Sequence, residues 1–146
     1  MKKNIREIYK RSLKTRFQGE LSNFVYYAFD GKLVGTEEMK QHVCSVVALM
    51  EDAVMSYITS NCWFFASMDD SLAFTFTGND LKDQHLIFLS DELFMHDEEQ
   101  IRYTITHEIG HVMLGHRNSI LEKQSKAEIY KQEKEADNFA RKYIKD

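Results

Sequence analysis

The sequence predicts an α+β fold, with a small, mostly antiparallel sheet of three strands or slightly more packed against helices. Two observations predict it. Apolar residues recur at helical spacing near the start, in the middle and toward the end, and short β-branched and aromatic runs bounded by turn residues lie between them. A third sets the scale: 146 residues suit a single domain spanning 1–146.

Taken in order, Ile5, Ile8, Tyr9 and Leu13 predict an amphipathic helix over the first fifteen or so residues. The run FVYYAF, then Asp30-Gly31, then KLV predicts a β-hairpin, so residues 1–35 read as an N-terminal helix plus hairpin. One long helix is predicted from Thr36 to Ile58. Thr36 is its N-cap, Glu37 and Glu38 fill its first turn, and Met39, Val43, Val46, Val47, Met50, Ala53, Val54, Tyr57 and Ile58 form its stripe. Cys62 to Ala66 and Leu72 to Thr77, flanking MDDS, read as a second hairpin, and His85 to Leu89 as a third strand beyond the loop Gly78-Asn79-Asp80. Asp97 and Gln100 have capping-box spacing before a helix of about Glu98 to Leu114, ended by Gly115. A last helix starts near Ser125.

Charge and composition narrow the function. Nineteen basic and twenty-three acidic side chains give −4, which argues against nucleic-acid binding through bulk charge. Without proline there is no PPII docking segment. The longest apolar runs are far below the roughly 18 residues that span a bilayer, and the basic start has no signal-peptide core. A cytoplasmic protein without membrane partners is expected, with Cys44 and Cys62 as reduced core thiols.

The chemistry lies in His107-Glu108-Ile109-Gly110-His111, an H-E-x-x-H match. Residues four apart on a helix share a face, so both imidazoles can grip one ion. Zinc suits two neutral imidazoles plus a carboxylate and leaves a position for water, which Glu108 could deprotonate as general base. With six His and thirteen Glu, the accidental count of this motif is about 0.02. Ile101, Ile105, Ile109, Val112 and Met113 form the opposite, core-facing stripe. Gly110, which costs about 1 kcal/mol against Ala, predicts close approach of another element on the His side. The longer metzincin motif would need Gly at 114 and His at 117, where Leu114 and Arg117 stand. His116 is expected to cap or pack.

The third ligand is expected on the last helix. Ile129, Ala136, Phe139, Ala140, Tyr143 and Ile144 mark a buried arc that includes Glu133, with Asp137 at its edge and Glu135 outside. A carboxylate within an apolar stripe needs a partner or a metal, which selects Glu133. Asp137, one turn on, can accept a hydrogen bond from the distal nitrogen of a zinc-binding His. Glu135 is expected to be a solvated surface charge.

H-E-x-x-H followed by E-x-x-x-D on the next helix resembles the gluzincins. QIRYTITHEIGHVMLGH with EKEADNFA further resembles the ImmA/IrrE family of metallopeptidases over about the last 60 residues. The resemblance implies a minimal zincin fold, with the sheet packed on an active-site helix and a C-terminal helix. It implies a cytoplasmic zinc endopeptidase holding one ion through His107, His111 and Glu133, and a protein substrate such as a DNA-binding repressor. Strand His85 to Leu89 would be the edge on which a substrate peptide lies. His116, Tyr103 and Tyr130 are the candidate oxyanion stabilisers. Two alternatives stand beside it: a catalytically weak or inactive zincin-like binding module with structural zinc, and a deformylase-like hydrolase using Cys62, for which the accompanying Gly-rich and E-G-C segments are missing.

Overall fold

In a computed structural model of the chain, residues 18–68, 72–77, 81–116 and 124–144 are described. The expected helix over the first fifteen residues and the loop Gly78-Asn79-Asp80 lie outside them. The elements are α1 (Gln18–Phe29), β1 (Leu33–Val34), α2 (Glu37–Val47), α3 (Asp52–Asn61), β2 (Cys62–Ser67), β3 (Ala73–Phe76), β4 (His85–Ser90), a 3-10 turn (Asp91–Met95), α4 (Glu98–Met113) and α5 (Lys126–Ile144). The fold is α+β, as the periodicity predicts, and has the layering of a small zincin-like domain. No helix among the described residues is long and apolar enough to cross a membrane.

The first expected hairpin is absent. FVYYAF belongs to α1, where Leu21, Val25 and Phe29 recur every four residues and are all buried. Burial at that period outweighs the strand propensity of the aromatic residues. Asp30 and Gly31 take φ of 51° and 84°, and Asp30 N and Lys32 N donate to Tyr27 O and Phe29 O. The same positive-φ pair that suits a hairpin here ends a helix. Phe29 then meets Phe64 of β2 edge-on, so this segment is built into the core.

The expected long helix is two helices. Thr36 caps α2 by accepting from Met39 N at 3.1 Å, and the chain turns at residues 48–51 before α3. Twenty-odd residues of straight helix would run about 33 Å, the width of a small domain. The turn instead lets Val54, Met55 and Ile58 join Met39, Val43 and Val47 in one core, while Ala53 and Tyr57 stay exposed.

The sheet order is β1-β2-β4-β3, with β1–β2 and β2–β4 parallel and β3–β4 antiparallel. Four mixed strands therefore replace the mostly antiparallel sheet. β2 and β3 do not form a hairpin: β4 inserts between them, pairing Phe64 with Ile87 on one side and Thr75 with Ile87 on the other. His85, Ile87 and Leu89 are all buried, which suits a central strand. The edges of the sheet are thus β1 and β3, and β4, paired on both sides, is not available to a substrate peptide. On the opposite face Phe65, Phe88 and Phe74 stack across the three strands with centroids 5.3 and 4.9 Å apart, pinning this register.

Candidate metal centre

α4 begins where Asp97 accepts a hydrogen bond from Gln100 N at 2.8 Å. The Gln100 side chain turns to Thr104 instead of completing a capping box. Ile101, Ile105, Ile109 and Val112 are buried, which turns His107 and His111 to the side facing α5. Their rings stand 4.8 Å apart at 83°. His107, Glu108 and His111 place one ligand atom each within 4.8 Å of one another, a group that could hold a metal ion.

α5 approaches at Gly110. A Cβ there would lie 3.1 Å from Phe139, the close contact that the glycine predicts, and Ala136 and Ala140 are fully buried beside it. The crossing brings Glu133 to the histidines: Oε2 is 2.7 Å from His111 Nε2 and Oε1 is 3.3 Å from His107 Nε2. Glu133 is nonetheless 54 % exposed and Ile129 47 %. The buried arc is narrower than expected because α5 packs through small residues and Phe139. Burial therefore does not single out Glu133; reach does.

Asp137 Oδ1 lies 2.9 Å from His107 Nδ1. The contact does not have hydrogen-bond geometry, and Nδ1 is buried without a hydrogen-bond partner. The Tyr103 hydroxyl donates to Asp137. Burial, and then that bond, push the Tyr103 hydroxyl up to about 12. The Tyr103 hydroxyl is thus engaged with Asp137.

Glu108 lies beside the histidines on the side of the sheet, where it is buried and accepts from Thr75 Oγ1 at 2.5 Å. Burial raises its pKa, opposed by the Thr75 hydrogen bond and by His107. Burial likewise lowers His111, to about 4, against the pull of Glu133. Thr75, Phe74, Glu108, His111, His116 and Glu133 line part of a cavity of about 170 Å³.

His116 makes more contacts than capping or packing alone requires. It follows Gly115, whose φ of 69° ends the helix, and its backbone N–H donates to His111 O. The buried ring sits with Nδ1 3.0 Å from His111 Nδ1 and Nε2 2.7 Å from Glu135 Oε1. Glu135 is thus partnered, not a solvated surface charge. Neither this pair nor Thr75 could be read from local spacing, since each depends on how α5 and β3 dock. Tyr130 is 68 % exposed on α5. Cys62 lies fully buried in the core and outside the metal-capable group, so the deformylase-like reading has no structural footing.

Two imidazole nitrogens and one carboxylate converge beside Glu108, nitrogen and oxygen donors of the kind a zinc ion takes. The donor set therefore fits a metal ion.

Residues 79–146 match the family model of Peptidase U49. The matched segment holds β4, α4 and α5, and so every residue of the centre except Thr75. It supports a peptidase, in a family related to the ImmA/IrrE-type metallopeptidases, and with it a protein substrate. Comparisons with curated proteins and with solved structures found no match.

Proposed function

We propose that the chain is a zinc-dependent endopeptidase that hydrolyses peptide bonds of a protein substrate. The observation that carries this reading is the approach of His107 Nε2, His111 Nε2 and the Glu133 carboxylate to one another beside a buried Glu108. His107, His111 and Glu133 would hold the ion. Both histidines reach the Glu133 carboxylate, at 2.7 and 3.3 Å, and two imidazoles with a carboxylate are donors that zinc would accept. When bound, zinc supplies a Lewis acid and lowers the pKa of water toward neutrality.

Glu108 takes a proton from the attacking water and returns it to the leaving amine. Burial raises its pKa, which favours the second half of that task, and Thr75 keeps its carboxylate oriented. Asp137, held by Tyr103, supports His107 from its far nitrogen. The edge strand β3, which carries Thr75, is where an extended substrate would add a strand. With Tyr103 and His116 both engaged by neighbours, Tyr130 is the oxyanion candidate that stays exposed.

The resemblance to the ImmA/IrrE family makes a DNA-binding repressor the substrate class to test. Purified protein incubated with repressors encoded beside its gene should cleave one of them, and a chelator should stop the reaction. Glu108→Gln should keep zinc and fold and lower turnover by about 10²–10⁴. Undiminished cleavage by Glu108→Gln would refute the assignment. Zinc binding with no cleavage of any such repressor, by wild type or variant, would favour a binding module.

A further inference from the structure

We propose that Glu135 and His116 form a relay that sets the tautomer and orientation of His111, making both of them positioning residues for the metal centre. The relay rests on the zinc-centre reading above. An ionised carboxylate only accepts hydrogen bonds, so the 2.7 Å contact to Glu135 requires the proton of His116 to sit on Nε2. With that one ring proton, His116 presents a bare Nδ1 to His111. His111 Nδ1, 3.0 Å away, must be the donor in that contact, which leaves the lone pair of His111 on Nε2. Nε2 is the atom beside Glu133, where the ion belongs.

Main-chain geometry holds the relay independently of the side chains. Gly115 turns the chain back with φ 69°, and His116 N donates to His111 O at 3.0 Å, fixing the two rings at one helix end. The arrangement parallels that at His107, whose far nitrogen faces Asp137. Each imidazole is thus backed by a carboxylate of α5, directly for His107 and through a second imidazole for His111. A packing role for His116 would need neither a partner on Glu135 nor two nitrogens in line with polar atoms.

Glu135 is the residue to vary, because it is half-exposed and its loss leaves the core intact. Zinc affinity is read by competition with a chromophoric chelator, alongside thermal unfolding of the metal-free protein. Glu135→Ala should weaken zinc binding about tenfold with the metal-free unfolding midpoint unchanged. Glu135→Gln keeps an acceptor oxygen for His116 and should stay within about threefold of wild type. Nitrogen-15 NMR of the zinc-loaded wild type should find the His116 proton on Nε2. Zinc affinity of Glu135→Ala within about twofold of wild type, or a His116 proton on Nδ1, overturns the relay while leaving the metal centre standing. Wild-type protein that takes up no zinc overturns the centre and the relay together.

Discussion

Replacing Thr75 by valine tests the link between the sheet and the catalytic carboxylate. Thr75 is 3 % exposed, and its hydroxyl lies 2.5 Å from Glu108 Oε1. That distance belongs to charge-assisted O–H···O⁻ bonds of about 2.5–2.7 Å. Valine keeps the side-chain shape and deletes the donor. A hydrogen bond to a charged group contributes about 1.5–3 kcal/mol, and water cannot readily replace it at a buried carboxylate. With a urea m-value of about 2 kcal/mol/M, the unfolding midpoint should fall by about 1 M. Glu108→Leu alone removes the carboxylate that the Thr75 hydroxyl bonds, whereas changing both residues leaves an apolar pair, which can be nearly neutral. The double variant should therefore be less destabilised than the sum of the singles, by about 1.5–3 kcal/mol. Urea unfolding of metal-free protein measures the cycle. Thr106→Val is the control: that buried hydroxyl donates to Arg102 O within its own helix. Its effect should add to that of Glu108→Leu. If Thr75→Val and Glu108→Leu also add to within about 0.5 kcal/mol, Thr75 does not anchor Glu108 and the reasoning fails.

His85 is buried between the Tyr57 and Thr77 hydroxyls, and burial holds its pKa below the ordinary 6.5 despite the attraction of Asp83. The unfolded chain therefore takes this proton first, so the stability it contributes is full above pH 6.5 and is lost as pH falls. His85→Gln should flatten the fall in urea midpoint between about pH 7 and 5, and an unchanged slope would contradict it. Burial pushes the Cys44 thiol up to about 12 and raises Cys62 as well. At pH 8 about one Cys44 in ten thousand is thiolate, so a thiol reagent should label the pair only on unfolding. Labelling of native protein within the mixing time would refute this. Tyr103→Phe removes the hydroxyl that holds Asp137 and should weaken zinc binding about tenfold. Competition with a chelator measures it, and wild-type affinity would show that Asp137 needs no such support.

The parts legible in the sequence are those governed by local rules. Asp97 caps α4 and Gly115 ends it because both act within one turn of their own position. The H-E-x-x-H pair needs only helical spacing. Strand pairing is different. MDDS and Gly78-Asn79-Asp80 are equivalent turn signals, and only the burial of both edges of β4 decides which hairpin forms. Asp30-Gly31 is likewise ambiguous, since positive φ serves hairpins and helix ends alike. The buried arc points to Glu133 for an incomplete reason: its carboxylate meets the histidines while its side chain stays half in solvent. Glu135, expected outside the buried arc, is less exposed than Glu133, because His116 reaches it by folding back past Gly115.

The crossing of α4 and α5 explains why a partly exposed helix can hold a precise site. Glu133, Glu135 and Asp137 stand at i, i+2 and i+4, so the outer two share a face and the middle one does not. The outer pair takes the two sides of His107, at Nε2 and Nδ1. Glu135, turned away, reaches His116 beneath the end of α4. α4 is thus held from two sides by one stretch of five residues, and neither contact can shift without disturbing the other. Their common reference is the contact of Gly110 with Phe139, flanked by the buried Ala136 and Ala140. Small residues at that point bring the backbones close enough for short carboxylate side chains to span the gap. The glycine that weakens α4 by about 1 kcal/mol as a helix former is therefore the residue that sets how close the ligand-bearing helix comes.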